Sequence, residues 1–507
     1  MMTVKIDGEN LTIQDVHRVA REEEEVEISE DCVEDIKKSR SIVEDTLESD
    51  EDVYGINTGF GELANVKIER DKTEQLQENL VLSHASGVGE PLDEEIVRGV
   101  MLLRANTLAK GYSGVRLKVI QGLIDMLNKN VHPVIPCQGS VGASGDLAPL
   151  AHMSLVLIGR GKALYDDDKL SGKKAMERAG IDTIELKAKE GLALLNGTQV
   201  MTAIGALAVH DSELLLKSAQ IASAISLESL MGTDAVFDER IHDIRPHEGQ
   251  ISCAANLRKL TKGSDIIRSH RDCDRVQDPY TLRCMPQVYG ATRDAISYVR
   301  KVVETEMNSA NDNPLIFDNG DVISGGNFHG QPVALAMDFL GSAIAEIGDI
   351  SERTTDKLMY KEESGLPPFL AEDSGLNSGF MIAQYTAASL VSENKVLAHP
   401  ASVDSIPTSA GQEDHVSMGL TAARQARDIL NNVEHVVAIE MLAAAQGLEF
   451  HDLEPGEGVQ AAYEFIRKYV EPLEQDRPLH EDILACRELI HEGDVIEAVE
   501  DKIGELH

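Results

Sequence analysis

From Glu190 to Met231 the chain contains no proline, and apolar residues occupy almost every face of the helix that their spacing predicts. A surface helix keeps one polar side, so a helix that is apolar nearly all round belongs at the centre of a bundle. Similar long patterns recur at Pro286 to Met307, Gln331 to Met359, Ser378 to Ala398 and Glu413 to Gly447. The predicted fold class is therefore mainly α. A compact N-terminal part is expected over residues 1–110, followed by a long-helix bundle over 111–507.

Shorter elements precede and punctuate the bundle. Val4 to Ile6 reads as a strand, a helix begins near Thr12, and Ser29 caps a segment whose Val33, Ile36, Val43 and Leu47 recur at helical spacing. Helices are predicted from Asp71 to His84, from Asp93 to Lys110 with Gly111 as the stop, and from Val115 to Lys129. Short strands are expected around Asp166, and Asp318-Asn319-Gly320 reads as a hairpin turn between Leu315-Ile316-Phe317 and Val322-Ile323. Two or three shorter helices follow Gly458.

Charge narrows the partners. The 507 residues carry 87 acidic against 47 basic side chains, a formal net charge of −40, with no basic stripe to follow a phosphate backbone. A nucleic-acid partner is excluded on that ground, and a salt-rich cytoplasm, as in a halophile, is the simplest setting for such self-repulsion. The six cysteines (Cys32, Cys137, Cys253, Cys273, Cys284, Cys486) are scattered without a C-x-x-C pair, which predicts reduced thiols in the cytoplasm. No signal-like or membrane-spanning apolar run is read, so no membrane partner is expected. Walker A, H-E-x-x-H and EF-hand patterns are missing, and no metal site is expected. His152 and His210 lie in apolar helical surroundings and read as packed residues.

The unusual chemistry lies in Gly139-Ser140-Val141-Gly142-Ala143-Ser144-Gly145-Asp146-Leu147-Ala148-Pro149. If the backbone bends sharply at its centre, the Gly145 nitrogen can attack the Ala143 carbonyl carbon and close a five-membered ring, an approach cheap only for glycine. Loss of one water from the ring and one from Ser144 leaves a methylidene conjugated to an imidazolone, an electrophile made from the chain. Asp146 is placed to move protons during closure. Ala85-Ser86-Gly87 repeats the tripeptide without that frame, so the three letters alone prove nothing.

Three polar clusters accompany this run. Arg275-Val276-Gln277-Asp278-Pro279-Tyr280-Thr281-Leu282-Arg283-Cys284 offers, in Arg283, a planar fork suited to a carboxylate. Ser324-Gly325-Gly326-Asn327-Phe328-His329-Gly330 lets backbone approach a ligand, and Gln412-Glu413-Asp414-His415 is read at the start of a long helix. A glycine-punctuated loop, Tyr54-Gly55-Ile56-Asn57-Thr58-Gly59-Phe60-Gly61, carries one phenol. Each also has a bland reading: a solvated loop with an ion pair, an ordinary turn, or an acidic first turn.

The glycine-rich run resembles the signature of the ammonia-lyases and aminomutases that use a self-made methylidene-imidazolone. With Tyr54 to Gly61, Ser83-His84-Ala85, Leu194-Leu195-Asn196-Gly197-Thr198 and the three clusters, the order and spacing are similar to those of the histidine ammonia-lyases over essentially the whole chain. The resemblance implies the mostly helical fold of the aromatic amino acid ammonia-lyases. It also implies a homotetramer with sites shared between subunits, and elimination of ammonia from L-histidine to trans-urocanate in histidine degradation. The cofactor implied is 4-methylidene-imidazol-5-one from Ala143-Ser144-Gly145, with no external one. Glu62, Gly411 and Thr354 depart from the family pattern without touching a position assigned to chemistry.

On that reading the substrate amine adds to the methylidene carbon from Ser144 and becomes a better leaving group. Arg283 and Asn196 hold the carboxylate, Tyr54 removes the β-proton, and Tyr280 and Gln277 hydrogen-bond the electrophile or substrate. Phe328 packs beside the ring, and His84 and Glu413 meet the two imidazole nitrogens. A phenol ordinarily titrates near about 10, so the site must favour the phenolate of Tyr54, with Arg283 as the cause. A tyrosine or phenylalanine lyase or aminomutase would share the electrophile and differ in the side-chain pocket. The fumarase and aspartase superfamily is a separate class whose G-S-S-x-M-P-x-K-x-N signature is absent. A non-catalytic helical scaffold would leave the glycine run unmodified.

The charge of −40 generates a first prediction. Screening weakens as the Debye length grows from about 3 Å at 1 M salt to about 30 Å at 0.01 M. Dialysis into dilute buffer should lower the melting temperature and activity; equal values across that range would refute the salt dependence.

Overall fold

The computed structural model describes residues 3–48, 53–56, 58–59, 68–69, 72–271 and 276–507. Two units divide the chain: Met1–His210 with Val299–Asp338 and Pro400–Arg424, and Asp211–Tyr298 with Phe339–His399 and Gln425–His507. Asn57, Phe60, Gly61, Glu62, Asp71, Cys273 and Arg275 lie outside the described residues. The mainly α class is observed and, among the described residues, the short strands all lie in the first unit.

In the first unit β1 (Val4–Ile6) pairs in parallel with β2 (Val26–Ile28), connected by α1 (Ile13–Arg21). Thr12 starts α1 through a capping box: Asp15 N–H donates to Thr12 Oγ1 (3.1 Å) and Thr12 N–H to Asp15 Oδ2 (2.9 Å). Ser29 caps a 3-10 turn that leads into α2 (Val33–Glu48), which buries Ile36 and Val43. Then come α3 (Thr73–His84), β3 (Val88–Pro91), and α4 (Glu94–Ala109), buried on nearly every face and followed by Gly111 at φ +84°. α5 (Leu117–Asn128), β4 (His132–Pro133), β5 (Pro136–Gln138) and α6 (Leu147–Leu157) follow. β4 is antiparallel to β6 (Lys162–Tyr165), itself antiparallel to β7 (Asp168–Ser171), while β3 pairs with β5. The turn between β6 and β7 holds Asp166 and Asp167, as the sequence predicts.

After α7 (Gly172–Arg178) the structure corrects the prediction of one helix from Glu190 to Met231. It forms α8 (Glu190–Leu195) and α9 (Gln199–Ser229), broken at Asn196-Gly197-Thr198, with Gly197 at φ +151°. The break has tertiary causes. Arg104 of α4 donates Nη2–H to the Asn196 carbonyl (2.8 Å), and Asp146 N–H donates to the Gly197 carbonyl (2.7 Å). Asp146 Oδ2 then accepts from the Val200 and Met201 N–H groups (3.0 and 2.9 Å), capping α9 from a residue far away in sequence.

The hairpin of β8 (Leu315–Ile316) and β9 (Val322–Ile323) forms as predicted, with Gly320 at φ +92°. A second correction concerns Glu413 to Gly447. The helix is Gly419–Leu448, and Glu413 lies before it, bridged to Thr408 by backbone hydrogen bonds of 2.9 and 3.3 Å. Helix formation is held off because Met418 sits at φ +56° while its N–H donates to the Val141 carbonyl (2.9 Å).

The second unit contains helices Glu457–Ile466, His480–His491 and Asp494–Ile503, where the sequence predicts two or three from Gly458. Its core holds a buried polar group. Tyr289 OH and Ser223 Oγ are 2.7 Å apart, and Ser226 Oγ donates to Glu440 Oε1 (2.9 Å). Burial pushes the Glu440 carboxyl up to about 7, with the Ser351, Ser226 and Ser223 hydroxyls pulling the other way.

A carboxyl with a raised folded-state pKa keeps a proton that the unfolded chain releases near 4.5. Its contribution to stability is full below that value and is lost as pH rises through about 7. Glu440→Gln, which mimics the protonated form, should be more stable than wild type at about pH 8 by roughly 3 kcal/mol and nearly equal at about pH 4. Parallel denaturation curves at both pH values check this; an unchanged difference between them would exclude Glu440 as the source.

Candidate active site

Three short helices of the first unit, α3, α6 and α8, pack against one another and point their ends at one space. α3 ends at His84, α6 begins just after Ser144 and Asp146, and α8 ends at Leu195 with Asn196 as its cap. The result is a cavity of about 750 Å³. Tyr54, His84, Ala143, Ser144 and Asn196 line it, with Phe328 and His329 from the second polar cluster and Gln412, Glu413, Asp414 and His415 from the third. Leu80, Leu147, Leu192 and Leu195 supply its apolar wall.

The bend predicted at Ala143-Ser144-Gly145 is present. Gly142 and Gly145 adopt φ +71° and +74°, and a Cβ on Gly145 would lie 2.0 Å from the Gly197 carbonyl oxygen. Ser140 Oγ ties the turn together: it accepts from Gly142 N–H (3.1 Å) and lies 3.2 Å from Gly145 O and 3.1 Å from Asp146 Oδ1. The second tripeptide differs, since Gly87 stays outside the left-handed region and its N–H donates to His152 Nε2 (3.1 Å). His210 stacks on His17 with ring centroids 4.0 Å apart, so both histidines are packed as expected.

Around Ser144 the polar partners converge. With its amide oriented to satisfy both neighbours, Asn196 donates to the Ser144 carbonyl (3.2 Å) and accepts from Asn313 N–H (3.0 Å). Ser144 Oγ donates to Glu413 Oε1 (3.2 Å), while Glu413 Oε2 accepts from Thr408 Oγ1 (2.7 Å). Asp146 is fully buried, which pushes its carboxyl up to about 6 against the opposing pull of the Met201 N–H, the Ser140 hydroxyl, the Val200 N–H and the Arg104 charge.

His84 shows its tautomer. Nδ1 lies 2.8 Å from the Leu80 carbonyl, which can only accept, so Nδ1 carries the proton and Nε2 is the lone-pair nitrogen. Burial lowers its pKa, opposed by the Leu80 bond and the Glu413 charge, so the ring is neutral at neutral pH. His329 and His415 lie parallel, centroids 5.7 Å apart. Among the described residues, no group of three His, Cys, Asp or Glu side chains could hold a metal ion.

Gln277, Tyr280 and Arg283 belong to the second unit and are not among the cavity's lining residues. Tyr280 is 71 % exposed, and the Arg283 guanidinium lies over its ring at 4.6 Å. Sequence reasoning missed Asn313, Thr408 and Arg104. Asn313 sits in the polar run Asn311-Asp312-Asn313-Pro314, a signal that was readable; Arg104, inside an apolar helix, offered none. Arg104 is fully buried, its pKa lowered to about 10 by burial against the charges of Asp312 and Asp146. Beside it Lys189 and Asp312 form a buried ion pair of 2.6 Å.

Comparison with known proteins shows the family and the fold. Residues 11–468 match the aromatic amino acid lyase family. The chain is 58 % identical over 502 residues to a histidine ammonia-lyase of Alkaliphilus oremlandii, covering 99 % of each. Among solved structures, histidine ammonia-lyase from Trypanosoma cruzi superposes with a TM-score of 0.92 at 41 % identity, over 99 % of this chain and 96 % of that one. Tyrosine aminomutase from Streptomyces globisporus superposes with a TM-score of 0.96 at 39 % identity over all of both chains. The fold is common to them, so the side chains of the cavity must carry any choice of substrate.

The contact between Gly145 and Gly197 has a testable consequence. Gly145→Ala puts a methyl group where the Gly197 carbonyl already is and forces an L-residue into φ +74°. A loss of about 2 kcal/mol or more is expected, measured by chemical denaturation; Ser86→Ala, at the exposed serine of the second copy, should change stability by less than about 0.5 kcal/mol.

Proposed function

This chain belongs to the aromatic amino acid lyase family, and from that premise we propose that it eliminates ammonia non-oxidatively from L-histidine and releases trans-urocanate. It is a carbon–nitrogen lyase. The observation that carries the substrate is the pairing of His84 and Glu413 in the cavity that holds Ser144. An imidazole withdrawn from water needs a partner for each ring nitrogen, and these two side chains offer them. A phenyl ring there would leave the Glu413 carboxylate buried against hydrocarbon, at a cost of several kcal/mol.

The residues fit a methylidene-imidazolone. Ala143-Ser144-Gly145 is bent, Gly145 is in a conformation only glycine adopts readily, and the Ser144 carbonyl has the Asn196 amide as its donor. Formed there, the group supplies an electrophilic carbon for the substrate amine, which no encoded side chain offers. Asn196 stabilises negative charge at the Ser144 oxygen. Tyr54, on the cavity wall, takes the β-proton, and Phe328 packs against the substrate ring.

Arg283 holds the carboxylate, and Gln277 and Tyr280 donate hydrogen bonds, each reaching the cavity of a neighbouring copy in a homotetramer. The exposure of Tyr280 supports that placement. No helix among the described residues is long and apolar enough to cross a membrane, and we place the enzyme in the cytoplasm, at high salt on account of its charge.

The decisive experiment is kcat/KM for histidine, tyrosine and phenylalanine on wild type, Glu413→Gln and His84→Leu. Wild type should act on histidine, seen as the ultraviolet absorbance of an imidazole acrylate, with each variant losing about 100-fold or more. Preference of wild type for tyrosine, or full histidine activity in both variants, would transfer the assignment to an aryl lyase or aminomutase.

A further inference from the structure

The contact between Ser144 and Glu413 has no role in substrate binding, because the hydroxyl it uses must be lost before the electrophile exists. Among the described residues, Glu413 is the hydrogen-bond partner of Ser144 Oγ. Its other oxygen is held by Thr408 Oγ1, and the Thr408 and Glu413 backbones are bridged, so the carboxylate is aimed at Ser144 by a braced loop. Asp146, the other acid beside the tripeptide, is committed elsewhere. Its Oδ2 accepts from two backbone N–H groups of α9, and its Oδ1 faces the Ser140 hydroxyl.

We propose that Glu413 acts twice: first as the proton shuttle that dehydrates Ser144 during maturation, and afterwards as a partner of the substrate ring. This rests on the reading of Ala143-Ser144-Gly145 as the electrophile's precursor. Ring closure joins the Gly145 nitrogen to the Ala143 carbonyl carbon and releases one water, without Glu413. In the second step a Glu413 oxygen takes the Cα proton of Ser144, and the electron pair of that bond forms Cα=Cβ. The Cβ–Oγ bond breaks with its pair on oxygen, and the proton held by Glu413 joins it. One water leaves, nothing is oxidised or reduced, and the carboxylate is restored. Loss of the hydroxyl also removes the donor from Glu413 Oε1, leaving that oxygen to accept an N–H from substrate. Maturation and substrate recognition thereby become successive uses of one atom.

Intact mass of the purified full chain, with peptide mapping across residues 139–149, tests this without reference to activity. Wild type should be two waters short of the encoded chain. Glu413→Gln and Glu413→Ala should be at most one water short, while His84→Leu, in the same cavity but without a hydrogen bond to Ser144, should keep the full deficit. Thr408→Val retains the glutamate and removes its brace, and should reach the two-water deficit at least severalfold more slowly after synthesis; this arm also answers for any Glu413 variant that fails to fold. A two-water deficit in both Glu413 variants, reached as fast as in wild type, overturns the proposal while leaving the electrophile intact. An unshifted wild-type mass in active enzyme overturns both.

Discussion

The backbone approach of Gly145 to Gly197 is the constraint on which the site depends. Two stretches of chain far apart in sequence meet so closely that Gly145 cannot carry a side chain, its Cβ falling 2.0 Å from the Gly197 carbonyl oxygen, while Gly197, at φ +151°, has side-chain atoms of Gln199, Arg104 and Asn311 within 2.7 Å of where its Cβ would be. Asp146 secures the contact from both sides, through its N–H on the Gly197 carbonyl and its carboxylate on the first turn of α9. The helix macrodipole favours negative charge there, while burial raises the cost of holding it. Bending the tripeptide and breaking the long helix are thus two sides of one interaction.

Behind that contact lies a group of charges with little access to water. Arg104, Lys189 and Asp312 are all buried, and burial lowers the pKa of Lys189 despite its pairing with Asp312. Buried pairs are a weak source of net stability but are costly to break singly, so they act mainly to define one arrangement. Here the arrangement defined is that of Asn196, whose carbonyl is held by Arg104 while its side chain reaches Ser144. Arg104 itself lies in α4, a helix buried on nearly every face.

Another part of the wall is built differently. Glu413 comes from an irregular segment held by backbone bonds to Thr408, and His84 from the last residue of α3, its tautomer dictated by a carbonyl one turn earlier. These groups are fixed by hydrogen bonds near the surface, whereas Ser144 and Asn196 are fixed by packed backbone. A scaffold shared by lyases and aminomutases can vary the first set and keep the second, which is why close superposition on an aminomutase says little about substrate.

Much of this protein was legible in its residues alone. The long helices follow from apolar spacing, the β8–β9 turn from Asp318-Asn319-Gly320, and the bend at Ala143-Ser144-Gly145 from the flanking glycines, because each reflects a preference that a short segment expresses by itself. The polar clusters at Phe328 and Glu413 were readable as candidates, and Tyr54 as a phenol among glycines. Only the tertiary structure decided that α8 and α9 are separate, that Glu413 precedes its helix, and that Arg104 stands behind the site. In each case a backbone carbonyl, N–H or charge found its partner in a residue distant along the chain, and local periodicity holds no information about such partners.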